Sequence, residues 1–209
     1  MFGNLKNAWR DPAWRGECVA TLALLIPVLV ALTHFLDANE RRHGVMFPDP
    51  VLALFTAVNL TWVTFSIIYA GVLAGLVILL GHPRRLLLVL QGYAVMAVLR
   101  MAAMYLAPLE PPPGMIELKD PFVEFFGPGR TLTRDLFFSG HTSTMFLLFL
   151  AMPGKRLRLV YAAATILVGC CVVLQHVHYA VDVLAAPFFA FGAYAIVLGI
   201  CKRRGILVN

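Results

Sequence analysis

Residues 176–201 read HVHYAVDVLAAPFFAFGAYAIVLGIC. From Tyr179 to Cys201 this stretch is apolar except for Asp182, and it is long enough for the roughly 20 residues that a helix needs to cross the hydrocarbon of a bilayer. An ionisable group in such a segment is expensive and marks a functional candidate. His178 and Asp182 lie four residues apart, which places them on one side of a helix. The carboxylate can then accept a hydrogen bond from one imidazole nitrogen and fix the tautomer of the other.

Working outward, five further apolar runs appear: Cys18–Leu36, Val51–Gly81, Leu86–Pro108, Leu136–Met152 and Arg158–Leu174. Six transmembrane helices in one domain spanning residues 1–209, with a core over 18–201, account for most of the 209 residues. The composition agrees, with 60% apolar and 13% charged residues against about 25% charged in soluble domains. The second run is long enough to tilt or to begin with an interfacial turn after Pro48 and Pro50. The first is read as an uncleaved helix, since its apolar stretch exceeds a signal core and no small-x-small site follows. The break at 175–178 is so short that the last two helices are expected to be antiparallel neighbours. No additional N-terminal interaction domain is expected.

The net charge of +6 does not point to nucleic acid, because the basic residues sit in small groups between apolar runs. In a six-span chain, Lys6, Arg10, Arg15, Arg84, Arg85, Lys155, Arg156, Arg158, Lys202, Arg203 and Arg204 share one face. Only Arg41, Arg42, Lys119, Arg130 and Arg134 fall on the other. The positive-inside rule then makes both termini cytoplasmic. Short arginine-rich loops suggest a bacterial inner membrane with the opposite ends of the helices facing the periplasm. Cys18, Cys170, Cys171 and Cys201 all lie in or beside apolar runs and are read as packing residues.

That same topology brings His141, at the start of the fourth run, to the face that holds His178 and Asp182. A neutral imidazole held by a carboxylate is a nucleophile, and a second histidine opposite it can protonate a leaving oxygen. Two histidines and an aspartate therefore suffice for phosphoryl transfer through phosphohistidine, and no metal or cofactor is expected. Ser139-Gly140-His141 adds a helix start suited to an anion, with a glycine that lets backbone approach closely. Ser139 is equally suited to capping that helix. Arg130, Arg134 and Lys119 are candidate phosphate contacts, and His176 a supporting or solvated loop residue. A haem protein with His141 and His178 as axial ligands, and a scaffold packed through Gly71 and Gly75, are the non-enzymatic alternatives.

Phe137-Phe138-Ser139-Gly140-His141-Thr142 together with His176-Val177-His178-Tyr179-Ala180-Val181-Asp182-Val183 resembles the paired active-site motifs of sphingomyelin synthases, within the type 2 phosphatidic acid phosphatase superfamily. Arg100-Met101-Ala102-Ala103-Met104-Tyr105, followed by the prolines at 108 and 111–113, resembles a third synthase stretch and brings Arg100 and Tyr105 among the candidates for substrate binding. The resemblance implies a six-helix fold in which His178 is the nucleophile, Asp182 orients it and His141 is the general acid. Asp135 matches an acidic position that serves the acceptor or tunes the site. It further implies a phospholipid donor whose head group passes to a lipid hydroxyl such as that of ceramide, or to water. The sequence departs from the family in two places. Cys171-Val172 stand in place of the Ser-Arg pair usual in the phosphatases, as in synthases, which counts against a simple phosphatase, and Tyr69 stands where a synthase acid is expected. A monoesterase acting on phosphatidic acid or an isoprenyl diphosphate is the alternative enzyme.

Overall fold

The computed structural model describes residues 2–119 and 132–204. Within them the chain is helical: α1 (Phe2–Arg10), α2 (Pro12–Glu40), α3 (Thr61–Leu80), α4 (Pro83–Leu106), α5 (Gly140–Ala151), α6 (Lys155–Leu174) and α7 (Ala180–Arg203), with one 3-10 turn at Leu52–Leu54. Arg130 lies outside the described residues.

Five helices, α2, α3, α4, α6 and α7, are long and apolar enough to cross a membrane. They make this an integral membrane protein. Their outer faces carry Val19, Ile166, Leu184 and Phe188, all strongly exposed, as expected where the surrounding solvent is lipid. The inner faces are close-packed around α5, whose Met145, Leu147, Leu148 and Ala151 are buried against Ala186, Ala190 and Ala193 of α7. Those alanines recur at helical spacing and bring the two backbones near each other.

The fourth apolar run forms a shorter helix than its hydropathy suggests. α5 has 12 residues, a length of about 18 Å against a hydrocarbon core of about 30 Å. It starts only at Gly140 because Phe137 and Phe138 adopt positive φ, +65° and +40°, and Ser139 then caps the helix. The second run also starts late, at Thr61, and its first part holds a 3-10 turn at Leu52–Leu54 instead of a continuous helix. The last two helices are not packed neighbours along their length. They meet near the break, where a Cβ on Gly169 would lie 2.8 Å from Val183, and then diverge so that α5 packs against both.

From α2 to α7, the short α5 included, each helix runs opposite to the one before it, and one end of the bundle is held together by polar ties between distant segments. Asn39 at the end of α2 donates to the Arg134 carbonyl (2.8 Å). Gln175 at the end of α6 accepts from the Leu60 amide (3.0 Å) and donates to Thr61 and to the Ile116 carbonyl. Tyr179 donates to the Glu110 carbonyl (3.0 Å). This braced end holds the starts of α5 and α7. At the opposite end Arg85 donates to the carbonyl of Ala151, the last residue of α5.

Candidate active site

The local structure at 175–183 follows from how α6 ends. Gln175 is the C-cap, His176 adopts φ +57°, and the amides of His176 and Val177 return to the carbonyls of Val173 and Val172 at 2.9 Å each. This is a Schellman closure with histidine at the left-handed position where glycine is usual. The cost of that conformation, about 1–2 kcal/mol, is offset by a bond from His176 Nδ1–H to the Pro113 carbonyl (2.9 Å) and by an edge contact with Phe55. His176 is thus a cap and tether through its backbone and Nδ1, while its Nε2 is buried and meets no hydrogen-bond partner among the described residues.

The reversal delivers His178 and then α7. Asp49 accepts from the Ala180 amide (2.6 Å) at the start of that helix, and Asp182 accepts from the Tyr179 amide (3.3 Å). Asp182 Oδ2 also receives His178 Nδ1 at 3.3 Å, the long end of the hydrogen-bond range, with both side chains almost wholly buried. The i,i+4 pairing read from the sequence therefore forms.

α5 is aimed at this pair by the strained Phe137-Phe138 turn. Phe138 is fully buried and stacks on Phe189 of α7 at 4.3 Å and 8°, while the Ser139 amide donates to the Asp182 carbonyl (3.0 Å). The first turn of α5 is thereby fastened to the first turn of α7. The His141 and His178 ring centroids stand 6.3 Å apart at 66°. The two imidazoles are therefore edge-to-face neighbours at one end of the bundle.

Arg100 completes the cluster. Its guanidinium reaches 2.6 Å from Asp135 Oδ1 and lies directly over the first residue of α5. A Cβ on Gly140 would sit 1.3 Å from Arg100 Nη1, so the space the glycine leaves is taken by the arginine. The Arg100–Asp135 approach is an ion pair without hydrogen-bond alignment. Arg100 Nε and Nη2 and Asp135 Oδ1 are buried and make no hydrogen bond among the described residues. Unmatched donors of a buried cation favour an anion with several acceptor oxygens.

Arg100, Asp135, Gly140 and His141 form the polar end of a cleft of about 450 Å³, in the range of small-molecule pockets. The rest of the cleft runs along apolar side chains that include Leu25 and Leu29 of α2, Val72 and Leu76 of α3, and Leu147 of α5. Tyr69 faces it as well. His178 does not line this cleft.

Four other sequence candidates sit elsewhere. Ser139 is buried and serves as the N-cap, its Oγ accepting from the Thr142 amide and hydroxyl. Arg134 donates through Nε and Nη2 to Glu110 and through Nη1 to the Glu40 carbonyl, which makes it a brace between α2 and the 107–110 segment. Tyr105 is exposed, with the Arg42 guanidinium 4.9 Å above its ring. Lys119 is exposed. Glu110 holds its carboxyl below the usual carboxylate range, first through the Gly44 amide and then through Arg134. Sequence reasoning missed Asp49, Glu40, Gln175 and Tyr179, which build the braced end; apart from the prolines flanking Asp49, no local pattern marks them.

Residues 134–198 match the family model described as PAP2 superfamily C-terminal. The matched segment contains Asp135, His141, His178 and Asp182. It supports a place in the type 2 phosphatidic acid phosphatase superfamily and a lipid function of the phosphatase or phosphotransferase type. No curated protein matches the chain.

Proposed function

We propose that the protein cleaves the head group of a phospholipid through a phosphohistidine at His178. The observation that carries this reading is the pairing of His141 and His178 at 6.3 Å, with Asp182 on the far nitrogen of His178, beside an apolar cleft whose polar end holds Arg100. In this reading the acyl part of the lipid lies along the cleft and its phosphate sits between the imidazoles.

The Nε2 lone pair of His178 attacks phosphorus as the bond from phosphorus to the glycerol oxygen breaks. His141 supplies a proton to the departing oxygen, and diacylglycerol leaves. Asp182 accepts from Nδ1–H and stabilises the charge that develops on the ring. Water then attacks the phosphohistidine, His141 takes its proton, and the phosphorus–nitrogen bond breaks to restore His178. Arg100 neutralises the non-bridging oxygens.

Transfer to a lipid hydroxyl such as that of ceramide follows the same course with that hydroxyl in place of water. Tyr69 stands in the cleft where a synthase acid is expected, and Asp135 is already engaged by Arg100, so the residues present favour water. The match at 134–198 also accommodates a monoesterase acting on phosphatidic acid or an isoprenyl diphosphate. We further propose six crossings, with α5 as the short one, cytoplasmic termini, and the histidines on the periplasmic side of a bacterial inner membrane.

The test is head-group release from defined phospholipids by the purified protein and by His178→Ala. Release by the wild type, with an acid-labile phosphoprotein that His178→Ala cannot form, is the expected result. Equal release by both proteins refutes the mechanism, and phosphate release from monoesters without diester cleavage selects the monoesterase.

A further inference from the structure

Residues 44–60, between α2 and α3, read GVMFPDPVLALFTAVNL and hold one ionisable side chain, Asp49. That carboxylate is engaged within the protein, accepting from the Ala180 amide (2.6 Å) with one oxygen and from the Val51 amide (2.8 Å) with the other. The exposed side chains are mostly apolar. Leu54 is 81% exposed and Val45 68%, and Met46, Phe47, Val51 and Val58 are exposed as well. The proposed chemistry uses none of them. A connection surrounded by water ordinarily presents charge, whereas exposed hydrocarbon of this extent marks an interaction surface.

The hydrogen bonds of the segment fix its level. Val45 pairs with the chain just past the end of α4, its amide donating to the Pro108 carbonyl (2.9 Å) and its carbonyl accepting from the Glu110 amide (3.1 Å). The Val58 amide donates to the carbonyl of Leu174, the last residue of α6 (2.9 Å), while Asp49 holds the first residue of α7. The segment therefore lies across the ends of three spanning helices, at the depth where they leave the hydrocarbon. Trp62 in the first turn of α3 and Tyr105 in the last turn of α4 are strongly exposed at that same end, where the aromatic belt of a membrane protein sits. Leu106 closes α4 with an exposed side chain, and Val45, bonded two residues beyond it, continues that lipid-facing surface into the segment.

The backbone suits this depth too. Irregular chain exposed to lipid is unfavourable where its amides lack partners. Pro48 and Pro50 have no amide to satisfy, and the amides of Gly44, Phe47 and Leu60 donate to Glu110, the Tyr179 hydroxyl and Gln175. The 3-10 turn satisfies its own, with Ala53 and Leu54 bonded to the carbonyls of Asp49 and Val51.

We propose that residues 45–58 insert their exposed apolar side chains, Met46, Phe47 and Leu54 among them, into the interface of the leaflet at the histidine end. The partner of this face is the lipid of the bilayer that the helices span. Because Phe47 and Asp49 bond to Tyr179 and Ala180, the insertion sets the depth at which α7 begins. The proposal does not depend on the reaction at His178.

It is tested on the full chain in phosphatidylcholine nanodiscs, with single tryptophans in a Trp9→Phe/Trp14→Phe/Trp62→Phe background. Leu54→Trp and Met46→Trp report on the apolar face, and Lys119→Trp, exposed three residues past the Ile116 bond to Gln175 at the same end, is the control. The two reporters are expected to emit at shorter wavelength than the control and to be several-fold less open to acrylamide. Lipid brominated near the ester end should quench them more than lipid brominated near the chain terminus, as for side chains about 5–10 Å into the boundary of head groups and acyl chains. Emission and acrylamide quenching equal to those of Lys119→Trp place the segment in water and overturn the proposal. Protection from acrylamide without quenching by brominated lipid also overturns it, since protein then covers the face. Nitroxide labels on Leu54→Cys and Met46→Cys, in a Cys18→Ser/Cys170→Ser background that keeps every native tryptophan, repeat the test. Relaxation by oxygen should exceed relaxation by a water-soluble nickel chelate, and the reverse order refutes insertion.

Discussion

Gly140→Ala separates two accounts of the same glycine. In the first, the missing side chain lets an anion approach the amides at the start of α5. In the second, it makes room for Arg100, whose Nη1, Cζ and Nη2 would lie 1.3, 2.4 and 2.9 Å from the new Cβ. No rotation of a methyl relieves a 1.3 Å approach, so the guanidinium must move and its 2.6 Å pairing with Asp135 is lost. Because the colliding atoms end a flexible side chain, the cost in folding is modest, about 1–2 kcal/mol, near the lower part of the range for overpacking. The cost to turnover is larger. A charge-assisted contact to phosphate contributes roughly 1.5–3 kcal/mol, or about 10–150-fold in kcat/KM. The deciding measurement is a double-mutant cycle on head-group release, with thermal unfolding in detergent as the control. Arg100→Ala alone is expected to lose about as much as Gly140→Ala, and adding Gly140→Ala to Arg100→Ala should cost less than about threefold more, since the methyl then meets empty space. Full activity in Gly140→Ala, or losses that multiply in the double variant, would refute the reasoning.

Phe138→Ala removes a fully buried ring stacked on Phe189 and should lower stability by about 3–5 kcal/mol, read from thermal unfolding, with turnover falling as α5 loses its fastening to α7. His176→Gly suits the +57° backbone and should keep kcat within a few-fold, whereas His176→Val should destabilise by roughly 1–2 kcal/mol; a loss of phosphate binding in the glycine variant would return His176 to the substrate site. The Glu110 carboxyl is held below its ordinary value, so its contribution is complete above about pH 4.3 and disappears as pH falls through the lower folded value. Hydrogen exchange in the 107–119 segment should therefore rise on acidification below about pH 4 in the wild type, and Glu110→Gln should remove that part of the dependence.

The transmembrane character was legible because hydropathy is a property of single residues summed over a window. α4, α6 and α7 begin and end close to the expected limits, whereas α2 extends past its limits at both ends. The α5 limit was not legible, because Phe137 and Phe138 score as apolar helix while their burial against Phe189 holds them at positive φ. The pairing of His178 with Asp182 needed only the helical repeat. His176 and Arg134 read as site residues by charge and position, yet long-range partners at Pro113, Glu110 and Glu40 commit them to structure.

From composition and periodicity alone followed a membrane-embedded helical chain, a histidine–aspartate pair four residues apart, and a second histidine bound for the same end of the bundle. Those are local facts, carried by transfer free energy and by the 3.6-residue turn. The tertiary structure alone decided the 6.3 Å between the two imidazoles, the seat of Arg100 over Gly140, and the cleft beside them. Each depends on how far one helix end stands from another, and that distance is set by packing and hydrogen bonds between residues that no short window of sequence contains.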